Sequence, residues 1–229
     1  MKSHFGFNYL TKVVSVLDFK MLTIRDLDES IDILCNHFGE ENQDESLKEE
    51  HCPYFGVLWE AGIGLSQYIQ KIDFKNKRVI EIGCGLALPS FVATRLGGDL
   101  IATDFHKDVP LFLQHNLKIN NLSIRYEVMN WRDEVERTKK QFGTFDYVLG
   151  SDILYESQHA QEVAKALLGL LRPGGKIILA DPGRAYVQKF ITSMRELGHP
   201  ETLTIENVDK VFSTKQASGK DIFIFEFNK

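Results

Sequence analysis

A doubly wound, mostly parallel α/β sheet with helices on both faces is what this 229-residue chain predicts, from three features. Short apolar strands alternate with helical stripes from Arg78 onward, RVIEIGCG sets a tight glycine bend straight after the first of those strands, and the alternating DIFIFEF closes the chain after the turn STKQASG. Alternation of strand and helix calls for parallel strands with right-handed crossovers. Two strands across a short glycine-containing turn pair antiparallel instead. At 43% hydrophobic, the chain has enough apolar material for one large domain with a single core.

The N-terminal segment KVVSVLDFKMLTI, Lys12 to Ile24, mixes β-branched and large apolar residues, which suggests one or two strands; DLDESIDIL then fits a short helical turn. EENQDESLKEEH is acidic and poor in apolar residues, so it reads as a mobile connector and divides an N-terminal extension, residues 1–50, from a main domain, residues 51–229. Leu58, Ile63, Leu65, Tyr68 and Ile69 approximate a helical stripe before the first main strand, RVIEIG. Gly83-Cys84-Gly85 ends that strand, and Pro89 suits a first helical turn because it lacks an amide that would be orphaned there. Leu88, Phe91, Val92 and Leu96 continue the helix to Gly97-Gly98.

DLIATDF is the second strand, and DVPLFLQHNLKIN the second helix, with Asp108 placed to cap it. IRYEVMNW is the third strand. The polar RDEVERTKKQFG leads to FDYVLGSDILY, whose run through Leu149 fits a buried strand, then to helix AQEVAKALLGLL, turn RPGG and buried strand KIILADP. A helix over YVQKFITSMREL and a strand around Thr202 to Val211 precede the last strand.

With 27 Lys+Arg against 32 Asp+Glu, a formal charge of −5 and a pI near 5.8, the chain does not advertise a nucleic-acid partner. Cys35, Cys52 and Cys84 form no C-x-x-C pair, which suggests neither a disulfide framework nor a metal cage and fits thiols in a reducing compartment. No run approaches the roughly 20 apolar residues of a membrane span, so a cytoplasmic protein is expected, acting as a monomer.

In a doubly wound sheet, ligands bind beyond the C-terminal strand ends, near the point where strand order reverses. A glycine bend after the first strand, with Asp104 about 20 residues on, is a general nucleoside grip: the glycines admit the backbone and the acid takes ribose hydroxyls. By itself the bend could be a tight turn only. A dinucleotide fingerprint wants a third glycine where this chain has Leu88, and helix-terminal amides aimed at a pyrophosphate. Glu81, just before the bend, would repel an anion and suits a ligand carrying an amino group and a sulfonium. That balance favours S-adenosylmethionine over NAD.

With FGVLWEAGIGLSQYI, the glycine bend with ATDF, the NW after the third strand, SDILYE after the fourth and DPGRAY after the fifth, the chain resembles class I, seven-β-strand methyltransferases, within them the protein lysine methyltransferases and their bacterial relatives. The resemblance runs from about Pro53 to the C-terminus. It implies strand order 3-2-1-4-5-7-6 with strand 7 antiparallel. It also implies that Trp59 lines the cofactor pocket, that Gly83, Cys84 and Gly85 pass the methionine part, that Trp131 lies against the adenine, and that Gly150 and Tyr155 close the pocket. Two departures stand out: Asn130 replaces a common acid before the tryptophan, and Glu60 a common proline.

Methyl transfer from a sulfonium needs mainly alignment and exclusion of water. A lysine acceptor must lose its proton, at a cost of roughly 4.6 kcal/mol at pH 7 for a reference pKa near 10.4. Asp152 is placed to accept a hydrogen bond from that amine, and Tyr155 to wall the channel. Asp152 could instead cap the following helix, and Trp59 and Trp131 could be core aromatics. Cys84 reads as a turn residue, His106 as a surface residue, Asn116 and Asn120 as helix-end packing, and Asp181 with Arg184 as shapers of the substrate mouth or a loop ion pair. A protein lysine is the expected acceptor; a small molecule, or a non-catalytic cofactor-binding role, are the alternatives.

Overall fold

The computed structural model describes residues 6–38, 52–130, 135–154, 160–208 and 220–229. The acidic connector at 41–51, Trp131, Tyr155 and the turn at 213–219 lie outside the described residues. Chain order is β1 (Tyr9–Val13), β2 (Lys20–Ile24), α1 (Leu27–Phe38), a 3-10 turn (Pro53–Gly56), α2 (Glu60–Ile69), β3 (Arg78–Ile82), α3 (Leu88–Arg95), β4 (Asp99–Asp104), α4 (Val109–Asn120), β5 (Arg125–Val128), α5 (Val135–Phe142), β6 (Phe145–Ser151), α6 (Ala160–Leu170), β7 (Leu171–Asp181), α7 (Val187–Glu196), β8 (Glu201–Val208) and β9 (Lys220–Asn228).

Seven strands form one sheet in the order β5-β4-β3-β6-β7-β9-β8. β5, β4, β3, β6 and β7 run parallel, and β9 is antiparallel to both its neighbours. Both faces are covered, and the pleat shows it. Val79, Leu100, Ala102, Leu149, Ile178, Ala180, Ile222 and Ile224 join the apolar cluster under α2, α3 and α4. Their strand neighbours Ile80, Ile82, Ile101, Val148, Ile177, Leu179, Phe225 and Phe227 join the cluster under α6 and α7. Near-continuous apolar strands follow from this two-sided burial. On α2, a Cβ at Gly64 would stand 2.9 Å from Ile222 on β9, so glycine lets that helix lie close on the sheet.

The N-terminal residues pack into the same cluster. β1 and β2 form an antiparallel hairpin, Tyr9 opposite Ile24. Phe19 meets Phe91 edge-on at 5.6 Å, and Tyr9 and Phe55 both meet Phe112 at 5.2 Å. The outer edge of β2 is closed by two asparagines on α4. Asn116 Oδ1 accepts from Leu22 N–H at 2.6 Å while its Nδ2 donates to Leu22 C=O at 3.2 Å. Asn120 repeats the pattern on Lys20, at 2.8 and 2.6 Å. Four helical residues rise about 6 Å and two strand residues about 6.8 Å, so amides spaced i, i+4 match alternate strand residues. A strand edge that would otherwise be exposed is thereby satisfied.

Five local expectations change. DLDESIDIL belongs to a 12-residue helix, α1. RDEVERTKKQFG contains helix α5, a polar helix that carries Phe142, 5% exposed, into the core. RPGG lies inside β7, where pairing with β6 shifts register between Phe145 and Tyr147, so it is a bulged strand rather than a turn. Asp108 stands at the α4 N-cap position without a side-chain cap bond. Asn116 and Asn120 do more than pack a helix end, because they dock the hairpin.

Asn116→Ala leaves a buried N–H and C=O of β2 without partners. The expected loss is about 2 to 3 kcal/mol of stability by urea denaturation, with faster hydrogen exchange at the Leu22 amide than at β3 amides.

Candidate active site

A cavity of about 370 Å³ opens at the C-terminal ends of β3, β4 and β6, where the strand order reverses. The β3 bend supplies Gly83, Cys84 and Gly85, the β4 end Asp104, Phe105 and His106, and the β6 end Ser151, Asp152 and Ile153; Trp59 and Arg184 also line it. Its volume suits a small-molecule or cofactor site.

The bend is built for close approach. Gly83 and Gly85 both have positive φ, 58° and 49°, and a Cβ at Gly85 would stand 3.0 Å from Phe55 C=O. Gly85 N–H donates to Asp104 Oδ2 at 2.9 Å, and His106 N–H to Asp104 Oδ1 at 2.9 Å. Asp104 thus ties the loop after β3 to the loop after β4, and its four acceptor sites exceed the amides it takes, which leaves capacity for a further donor. Burial raises its pKa, and the amides of His106, Gly85 and Phe105 oppose that shift.

His106 is 5% exposed and lines the cavity, with its ring stacked on Phe55 at 4.1 Å; the surface assignment was wrong because the turn at Asp104 folds the side chain inward. Cys84 is buried, and burial pushes its thiol well above the ordinary range, which keeps it from acting as a thiolate. Trp59 lines the cavity and donates Nε1–H to Tyr54 C=O at 2.9 Å.

Glu81 and Gly150 are not among the lining residues. Gly150 is packed among Ile153, Leu179 and Ile82. Glu81 lies on the sheet face under α3, fully buried, where Ser90 N–H donates to Oε2 at 2.9 Å and Ser90 Oγ–H bonds the same oxygen. The expectation that this carboxyl faces the ligand is corrected: it occupies the first turn of α3. That position is where a phosphate would bind a helix N-terminus, so Glu81 opposes an anion by filling its seat. Burial, the largest cause, raises its pKa to about 8; the Ser90 bonds lower it and Asp104 raises it.

At the mouth, Asp152 sits in the left-handed region, φ 61°, with its N–H on Ala180 C=O at 2.9 Å. Left-handed non-glycine residues concentrate at functional sites. Arg184 Nη1 bonds Asp152 Oδ1 and lies 3.4 Å from Asp181 Oδ2, so the expected loop ion pair between Asp181 and Arg184 extends to Asp152. Arg184 is the one Lys or Arg side chain among the described lining residues, and it is already paired. A pyrophosphate would find neither a free cation nor a free helix terminus here. The residues present fit a neutral or cationic nucleoside. Among the described residues no group of His, Cys, Asp or Glu is placed to hold a metal ion.

A seven-stranded, mostly parallel sheet with this glycine and aspartate site defines a Rossmann-like methyltransferase fold. The lysine methyltransferase family model matches residues 41–197, and the chain belongs to that family. Protein N-lysine methyltransferase METTL21A of Xenopus tropicalis is 31% identical over 134 residues, 54% of this chain and 59% of that protein. Histidine protein methyltransferase 1 homolog of Dictyostelium discoideum is 32% identical over 131 residues, 54% of this chain and 41% of that protein. The chain thus spans well under two thirds of the length of these curated relatives. SMU.776, a methyltransferase solved in complex with SAH, superposes with TM-score 0.60 at 14% identity, over 76% of this chain and 51% of that one, a likeness of fold alone.

Glu81 also sets a pH dependence. With its folded pKa near 8, the native state holds a proton that the unfolded chain has released above its ordinary value of 4.5. Stability therefore falls as pH rises across that window, by up to about 1.4 kcal/mol per unit from this group. Urea denaturation between about pH 5.5 and 8 is expected to show Glu81→Gln losing about 3 kcal/mol less than the parent.

Proposed function

We propose that the protein is an S-adenosylmethionine-dependent methyltransferase that acts on a lysine amine of a protein. The observation that carries this reading is that the glycine bend, Asp104 and Asp152 line one cavity. Family membership supports it, and so do relatives named for protein N-lysine methylation.

In this reading Asp104 accepts hydrogen bonds from ribose hydroxyls through its remaining lone pairs, Gly83 to Gly85 admit the methionine part, and Trp59 and Phe55 exclude water. Trp131 lies against the adenine and Tyr155 narrows the channel, both as the family resemblance implies. When bound, the sulfonium supplies an activated methyl group. Asp152 accepts an N–H of the acceptor amine and aims its lone pair into the cavity; the proton goes to water. Asp152 rather than Asp104 has this role because among the described residues no hydrogen bond reaches Asp152 Oδ2, whereas the Asp104 carboxyl is already held by backbone amides on both oxygens.

No helix of the described residues is long and apolar enough to cross a membrane. The reading takes the protein as a cytoplasmic monomer, residues 51–229 forming the methyltransferase domain and residues 1–50 an N-terminal extension.

Incubation with labelled S-adenosylmethionine and cell lysate is expected to label a protein band, and mass spectrometry to place the methyl on lysine. Label on histidine would move the acceptor toward the chemistry in the Dictyostelium relative's name, and label confined to small metabolites would contradict a protein acceptor. Asp152→Asn is expected to slow transfer by about 10- to 100-fold with unchanged S-adenosylhomocysteine affinity, about 1.4 to 2.7 kcal/mol of barrier.

A further inference from the structure

The cavity mouth holds a carboxylate that is not alone. Arg184, one third exposed, bridges Asp152 and the buried Asp181. Asp181 Oδ1 is filled by the N–H groups of Gly183 and Arg184, at 2.7 and 2.8 Å, which leaves Oδ2 toward the guanidinium. The loop after β7 therefore fixes both the backbone and the side chain of Arg184. Among the described residues no hydrogen bond reaches Asp152 Oδ2, so that oxygen can take an amine N–H while Oδ1 stays on Arg184.

Charge decides what such a rim does to an amine. A lone carboxylate within about 4 to 6 Å stabilises the ammonium form, whereas a neighbouring cation destabilises it. Only the free base carries the lone pair that attacks. Arginine holds its charge at every relevant pH, so its effect does not titrate away.

We propose that Arg184 is a positioning residue that neutralises Asp152, so that the acceptor amine sits at the rim as the free base and reacts near neutral pH. The inference rests on the protein-amine reading above. Arg184 neither gives nor takes a proton; the ammonium loses its proton to water before attack. Other titratable groups face the same cavity: Asp104 and His106 from the β4 end, Cys84 from the β3 bend, and Cys52 and Tyr54 from the segment before α2. They are common to parent and variants, so substitution at 184 isolates the guanidinium charge.

The test measures initial rates of methyl transfer from labelled S-adenosylmethionine into lysate protein, between about pH 6.5 and 9.5, for the parent, Arg184→Gln and Arg184→Lys, with S-adenosylhomocysteine affinity by calorimetry. In Arg184→Gln the acid limb of the profile is expected to move up by about one pH unit, a tenfold slower rate on the limb that recovers at high pH. Arg184→Lys keeps the charge and should hold the limb near its parental position. S-adenosylhomocysteine affinity should stay within about twofold in both. Parallel profiles, an equal shift in Arg184→Lys, or tenfold weaker S-adenosylhomocysteine binding would each overturn this role alone. A parent that binds S-adenosylhomocysteine yet labels no protein would overturn the protein-acceptor reading and this role with it.

Discussion

The bond from Gly85 N–H to Asp104 Oδ2 is the constraint from which the site is built. Parallel strands end in separate loops, and nothing in the sheet ladder fixes those loops to one another. A buried carboxylate that accepts one backbone amide from the β3 loop and another from the β4 loop does so. The charge-assisted bonds are stronger than neutral ones, and they offset part of the cost of burying Asp104. The glycines follow from this, because only positive φ at Gly83 and Gly85 brings that amide within reach beneath Phe55.

Each acidic group of the site then has its own partner. Under α3, Glu81 occupies the helix N-terminus; at the floor Asp104 is held by amides; at the mouth Asp152 is matched by Arg184. Among the described residues such a series leaves no seat for a polyphosphate and one Asp152 carboxylate oxygen without a hydrogen bond. The two apolar clusters on either face, together with the hairpin docked through Asn116 and Asn120, hold the strand ends that carry these groups.

The sequence reveals those features that local chemistry dictates. Strand and helix alternation, the glycine bend, Pro89 in the first turn of α3 and the terminal antiparallel strand all rest on short-range preferences, and the observed sheet has seven strands, mostly parallel, with helices on both faces. What the sequence hides depends on partners far along the chain. Glu81 looked like a ligand group because strand alternation alone cannot say which face α3 covers. His106 looked exposed because the turn that buries it is made by Asp104, two residues away, and by Phe55, some fifty residues earlier. The amide spacing of Asn116 and Asn120 was visible as i, i+4, but its meaning required β2 to lie alongside. Helix α5 escaped notice because one anchor, Phe142, gives no periodic stripe.

Calorimetry at neutral pH tests the central claim most directly, with S-adenosylhomocysteine and NAD titrated separately into the parent and into Asp104→Asn. The account predicts that S-adenosylhomocysteine binds the parent, that Asp104→Asn weakens it by about tenfold or more, a loss of at least about 1.4 kcal/mol, and that NAD gives no binding heat. Binding of NAD with none of S-adenosylhomocysteine, or equal affinity in parent and variant, would contradict it.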